Sequence, residues 1–326
     1  MVSLVTAHSQ PSKFALACEQ GIIRLKELTL KILHILKEIL QFPKRYMGSK
    51  ETFGYSFNDR TDMSSKELHE KIDLACSCAF VHNCNPEWIE PFGYHIETPA
   101  SFSEIDQTIE SRERCFFDPK TGLKATVVRK EDVYLITFGA KGSDKSEIPY
   151  NADERHKITA LPIINTCLNI FGGVPAIYEQ ADQLVSDLLK DPRFSGKKVI
   201  FTGQCYGASL ASYAALMHQK EAFCVNAVPL GAGLQQKIGA ERLKIARQTI
   251  THLTVKKDWL TDLQITHLFD RFLSALGVRT PGNFGKQFMI PSAFNSRIKS
   301  HSHAVESMMK HLGYPEKTRP AAIYHS

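Results

Sequence analysis

The sequence predicts an α/β fold: a mostly parallel sheet covered by helices on both faces, with an N-terminal helical extension. Three observations predict it. From residue 122 onward, β-branched and aromatic runs alternate with helical patterns. One of those runs, Val199-Ile200-Phe201-Thr202, passes through a tight glycine-flanked turn directly into an alanine-rich helix. In the segment Pro175–Leu189, Ile177, Ala181, Leu184, Val185 and Leu188 fall on one side of a helix.

The chain of 326 residues is long enough for one large domain plus an appendage. Residues 1–18 lack a basic start followed by a sustained apolar run, so no cleaved secretory signal is expected. Gly21 to Phe42 is strongly amphipathic. Leu25, Leu28, Ile32, Ile35, Ile39 and Phe42 recur at heptad spacing, while Arg24, Lys26, Lys31, Lys37 and Glu38 take the other faces. Those charges exclude a transmembrane span. Two readings remain: a helix packed on protein, or one lying peripherally in a membrane interface through its Lys/Arg-rich face. Pro43 stops the helix. Residues 44–62 are polar and turn-rich. The organisation is therefore an amphipathic helix and linker over 1–62, then a main domain over 63–326 with a helical lead at 63–118.

Within the main domain, Lys124–Arg129 and Val133–Phe138 read as a strand pair. After the helix at 175–189 come the glycine-turn strand and its helix. Ala222–Val228 reads as a buried strand, Leu234–Ala246 as a helix, and residues 250–256 as a further strand. Pro281–Gly285 and Ile290-Pro291 suggest a loop and a short strand.

Chemistry concentrates in Gly203-Gln204-Cys205-Tyr206-Gly207. Strand, tight turn and helix are the context of a nucleophile elbow, here with cysteine at the reactive position. Gly203 and Gly207 let strand and helix pass closely, and the helix N-terminus aims N–H groups and partial positive charge at the sulfur. An acid and then a histidine follow the nucleophile in this arrangement. Asp258, just past the strand at 250–256, suits the acid, with Asp262 as the alternative.

The run Thr202-Gly203-Gln204-Cys205-Tyr206-Gly207-Ala208-Ser209-Leu210-Ala211 resembles the Thr-Gly-His-Ser-Leu-Gly-Gly-Ala box of the class 3 lipase group of α/β-hydrolases. Gln204 replaces the box's His, Cys205 its Ser, Tyr206 its Leu and Ala208 its second Gly. The resemblance covers about residues 120–313. It implies an α/β-hydrolase-like fold and an acyl-transfer activity. It implies His303, which opens an apolar helical pattern of Val305, Met308, Met309 and Leu312, as the histidine, with His301 as the alternative. Ser302 stands where the family carries Asp. The oxyanion donors it implies are the backbone of Tyr206 and, from the strand end Phe138-Gly139-Ala140-Lys141, that of Ala140 or Lys141. Gly139 replaces the family's arginine there. Proteins of this group often have a helical lead covering the cleft.

These residues point to an acyl hydrolase or acyltransferase working through Cys205, His303 and Asp258 on an ester or thioester, lipid-derived esters included. A thiolate leaves a tetrahedral intermediate more readily than an alkoxide, so activated esters and thioesters suit it best. Two alternatives remain: a catalytically silent lipase-like fold that binds lipid or protein, and a serine-type phospholipase at membranes, whose box would need Ser.

Other readings are narrower. No cofactor is expected. Cys76, Cys78, His82 and Cys84 fit no common zinc spacing, and core cysteines on an amphipathic helix explain them. The eight cysteines (Cys18, Cys76, Cys78, Cys84, Cys115, Cys167, Cys205 and Cys224) read as free thiols of a reducing compartment. The expected setting is the cytoplasm, or export without a cleaved signal. A net charge of +6 is spread along the chain with no basic block interleaved with aromatics, which argues against nucleic-acid binding.

Overall fold

Alternate residues along the central strands enter two separate cores, which is what a sheet covered on both faces requires. The computed structural model describes residues 61–102, 105–106, 108–140, 164–255 and 281–290. The strands are β1 (Thr61–Asp62), β2 (His95–Glu97), β3 (Glu110–Ser111), β4 (Phe116–Phe117), β5 (Leu123–Lys130), β6 (Val133–Ala140), β7 (Lys198–Gln204), β8 (Glu221–Val225), β9 (Ile250–Val255) and β10 (Lys286–Ile290). The helices are α1 (Ser65–His69), α2 (Ile72–Asn83), α3 (Ala176–Lys190), α4 (Tyr206–His218), α5 (Ala232–Ile238) and α6 (Ala240–Thr249). A further helical stretch covers 164–170.

The sheet runs β1-β10-β9-β8-β7-β6-β5-β4-β3, with β2 also on β5. Every pair from β1 through to β6 is parallel, and the pairs of β5, β4, β3 and β2 are antiparallel. Val127, Ile136, Phe201, Cys224 and Ile250 pack on one face with Leu184 of α3, Leu210 and Ala214 of α4 and Leu243 of α6. Their strand neighbours Val128, Leu135, Ile200, Phe223 and Val225 pack on the other with Cys76, Ala79 and Phe80 of α2. Mixed α/β architecture with helices on both faces is thus the observed fold.

Details differ from the expectation. β8 ends at Val225 rather than Val228, because Asn226 turns into the left-handed region at φ 47. The helix expected over Leu234–Ala246 is two helices, broken at Gly239 with φ 85. The α2 helix of the lead packs directly on one face of the sheet. In α2, every residue from Ala75 to Val81 is buried, so this helix has no polar stripe to match the amphipathic reading. Trp88, Ile89 and Tyr94 share its core. Ser77 of α2 is joined to the sheet by a hydroxyl chain. Ser77 Oγ donates to the Leu74 carbonyl at 2.7 Å and lies 2.8 Å from Thr202 Oγ1, which lies 2.6 Å from Thr137 Oγ1. A hydroxyl has one proton, so Thr202 donates to Ser77 and Thr137 to Thr202.

Among the described residues, no helix is long and apolar enough to cross a membrane. The amphipathic segment Gly21–Phe42 lies outside the described residues; of the stretch expected as a linker only Thr61–Asp62 is described, and it forms β1.

Candidate active site

β7 delivers Cys205 to the C-terminal edge of the sheet, and α4 begins at the next residue. Cys205 sits at φ 55 and ψ −118, a conformation that L residues adopt only under constraint. Two hydrogen bonds supply part of the constraint: Cys205 N–H donates to the Val225 carbonyl at 3.0 Å, and Val228 N–H donates to the Cys205 carbonyl at 3.2 Å. Packing supplies the rest. A Cβ on Gly203 would lie 2.3 Å from the carbonyl carbon of Gly207, and one on Gly207 would lie 2.1 Å from the carbonyl oxygen of Phe138. Both glycines of the box are therefore required by the backbone crossing between β6, β7 and α4. This is the strand–turn–helix elbow expected from Gly203–Gly207.

Cys205 differs from most of the chain's other thiols. Cys76, Cys78, Cys84, Cys115 and Cys224 are buried, while Cys205 and Cys167 are partly exposed. Burial pushes the Cys78 thiol up to about 12 and raises Cys224 and Cys167 as well. Cys76 and Cys78 are fully enclosed in the α2 core, which accounts for them as packing residues.

Tyr206 opens α4, in the first turn, where helical N–H groups have no intrahelical acceptor. Its backbone N–H therefore lies next to Cys205 at the start of the helix. Its ring is buried and meets Tyr178 of α3 edge-on at 5.6 Å; Tyr178 in turn meets Tyr213 at 5.3 Å. The Tyr178 hydroxyl pairs with Ser209 Oγ at 2.7 Å. Burial raises the pKa of both Tyr178 and Tyr206, so these hydroxyls stay protonated. The aromatic that replaces a smaller side chain in the box is absorbed by a tyrosine cluster beneath the turn.

Ala140 is the last residue of β6. Phe138 pairs in register with Gly203, and Ala140 and Cys205 each follow two residues later, at the C-terminal ends of the neighbouring parallel strands β6 and β7. β9 runs parallel to β8 and β7, so its C-terminal end opens on the same edge as Cys205. Val255 ends this strand. Lys141, Asp258 and His303, with the alternatives Asp262 and His301, lie outside the described residues. The structure thus brings Cys205, Tyr206 and Ala140 to one edge.

Solved structures of lipases show a weak likeness to this chain. A lipase II from Rhizopus niveus is 14% identical at a TM-score of 0.40, covering 68% of this chain and 80% of its own. A lipase from Rhizopus microsporus var. chinensis is 13% identical at 0.41, covering 71% and 76%. The Rhizomucor miehei lipase propeptide complex is 13% identical at 0.40, covering 83% and 91%. No protein-family model matches the sequence, and no curated protein matches it either. The fold assignment stands on the strand order and the elbow of this chain, and the likenesses add nothing to the chemistry of Cys205.

Two features of this edge have weak sequence signals. Asn169 is fully buried; its Nδ2 donates to the Pro229 carbonyl at 2.7 Å, and its Oδ1 accepts from Gly231 N–H at 2.7 Å. Leu230 forms a bridge with Gly282. The loop after β8 is thereby tied to the 164–170 helix, to Gly282 and, through Val228, to Cys205. Pro229-Leu230-Gly231 announces a turn in sequence, but nothing local announces Asn169 as its partner.

Proposed function

We propose that this chain is an acyl hydrolase or acyltransferase that uses Cys205 as nucleophile, His303 as base and Asp258 as the orienting acid. The observation that carries the reading is the backbone at Cys205: φ 55 and ψ −118, held between two glycines with no room for a Cβ. A buried structural cysteine needs no such conformation, and its strain favours presentation of the sulfur. The partial exposure of Cys205 and its place before the first turn of α4 support the same reading.

In the proposed reaction the thiolate attacks the carbonyl carbon of an ester or thioester. The oxyanion accepts hydrogen bonds from the backbone of Tyr206 and of Ala140 or Lys141. The tetrahedral species collapses, and the leaving group departs with a proton from the His303 imidazolium. Water or another acceptor, deprotonated by His303, then attacks the thioester and restores the thiol. Peripheral membrane contact through Gly21–Phe42 would bring the enzyme to lipid-derived esters.

The test is covalent. Incubation with p-nitrophenyl acetate or a short acyl thioester, followed by peptide mass spectrometry, is expected to place the acyl group on Cys205. Cys205→Ala abolishes the adduct, and His303→Ala slows its formation. A folded wild-type chain that acquires no adduct at Cys205 would leave the binding-module reading in its place.

A further inference from the structure

The peptide bond between Cys205 and Tyr206 is planar and trans, so its carbonyl and its N–H point in opposite directions within one plane. Whatever fixes the Cys205 carbonyl therefore fixes the direction of the Tyr206 N–H. Two N–H groups reach that carbonyl: Ser209 N–H of α4 at 3.4 Å and Val228 N–H at 3.2 Å. The bond within the helix is the longer and lies beyond the usual range for N–H···O, so Val228 is the firmer anchor. Val228 belongs to a loop that Asn169 holds from the other side. Asn169 is fully buried in the 164–170 helix. Its Nδ2 donates to the Pro229 carbonyl and its Oδ1 accepts the Gly231 N–H, both at 2.7 Å. A Cβ on Gly231 would lie 1.7 Å from the Asn169 carbonyl oxygen, so the loop lies directly against this residue. A carboxamide offers the donor and the acceptor that these two backbone groups require.

We infer that Asn169 is a positioning residue for the Cys205–Tyr206 peptide: by clamping Pro229 and Gly231 it holds Val228 on the Cys205 carbonyl, and so aims the Tyr206 N–H. The inference rests on the reading of Cys205 as nucleophile and of the Tyr206 backbone as an oxyanion donor. Cys205 at φ 55 and ψ −118 lies outside the favoured regions, and rotation about its ψ turns this peptide plane. Such a conformation persists only where the surroundings over-determine it. The crossing at Gly203 and Gly207 constrains the elbow from the strand and the helix. Asn169 constrains it from the loop. With the carbonyl released, the plane turns toward a favoured ψ and carries the N–H off its line. Asn169 touches no reacting atom in this scheme; it acts through Val228 and the peptide.

Two reactions of Cys205 separate this role from a general one. Acylation by p-nitrophenyl acetate builds an oxyanion. Alkylation by iodoacetamide displaces iodide at a tetrahedral carbon and builds none, yet both need the thiolate. The ratio of the two rates, followed at Cys205 by peptide mass spectrometry in the full chain, therefore reads the donor. Asn169→Leu deletes both side-chain bonds. Asn169→Asp, when ionised, keeps the acceptor but sets an oxygen against the Pro229 carbonyl; when protonated, it donates there as the amide does. Asn169→Leu and ionised Asn169→Asp are expected to slow acylation about 10- to 100-fold, less than the ~10²–10³-fold loss of such a donor removed outright, with alkylation within about twofold of wild type. As pH falls and the introduced carboxyl takes its proton, the Asn169→Asp ratio is expected to return to that of wild type at the same pH. A folded variant with the wild-type ratio throughout overturns the inference and leaves the nucleophile reading intact, as does one in which both rates fall together. Amide exchange tests the wild-type chain without a substitution. Val228 N–H is expected to be protected alongside Gly231 N–H; a Val228 amide that exchanges freely beside a protected Gly231 overturns the clamp. A folded wild-type chain that is alkylated but never acylated at Cys205 overturns the nucleophile reading itself, and the positioning role with it.

Discussion

The carbonyl oxygen of Phe138 occupies the space that a Cβ on Gly207 would need, 2.1 Å from that position. The contact is between two backbones, the end of β6 and the first turn of α4, so neither side can move a flexible group aside. In most helices Gly→Ala stabilises by about 0.5–1 kcal/mol. At Gly207 the sign is expected to reverse. Gly207→Ala should destabilise the chain by about 3 kcal/mol, the upper range for an overpacked core, and urea unfolding measures it as a lowered midpoint. A midpoint equal to wild type would mean that β6 and α4 are farther apart than described.

That crossing also marks how far the sequence is legible. Gly203 and Gly207 announce the elbow because no other residue type fits, and a two-glycine frame around Cys205 leaves little else for the turn to be. The parallel order β6-β7-β8-β9 follows from strands alternating with helices. Other elements were hidden by tertiary contacts. Nothing in Leu234–Ala246 outweighs its helical pattern except Gly239, whose break depends on how α5 and α6 pack. The α2 helix reads as one-sided, yet its Ser77 finds a hydroxyl on β7, so even its polar position is buried. Asn226 looks like part of a strand, and the strand stops there because its backbone enters the left-handed region, while its side chain bonds Val255 of β9.

The hydroxyl chain from Thr137 through Thr202 to Ser77 is directional, and each deletion should have a different cost. Thr202→Val conserves shape but strands the Thr137 proton in a fully buried site and leaves Ser77 without its donor. It is expected to cost about 1–3 kcal/mol in chemical unfolding. Thr137→Val removes only the first donor and should cost less. The double variant should cost less than the sum, because removing Thr202 has already stranded Thr137. Strictly additive losses would show that the three hydroxyls do not act as a chain.

The proposal of membrane contact places its weight on residues outside the described fold. A chain lacking residues 1–43 is expected to lose sedimentation with vesicles containing phosphatidylserine, and raised salt should weaken binding of the full chain. Unchanged sedimentation of the shortened chain would assign Gly21–Phe42 to protein packing instead.

Alkaline stability offers a test of the two-faced core that does not depend on catalysis. Burial raises the Cys78 thiol from its ordinary 9.0 to about 12, and Cys224, with Cys78 close by, moves in the same direction. Above about pH 9 the unfolded chain releases these protons while the folded chain keeps them. The unfolded state then binds fewer protons, so the stability of the fold falls as pH rises. The contribution of Cys78 is complete below about pH 9 and is lost progressively toward about pH 12, at up to ~1.4 kcal/mol per pH unit. Urea midpoints should therefore be level across neutral pH and decline in that alkaline window. Cys78→Ala should make the decline shallower, while Cys205→Ala, which alters a partly exposed thiol, should leave the Cys78 share of it in place. An unchanged slope in Cys78→Ala would mean that water reaches this thiol, and that α2 does not seal its face of the sheet.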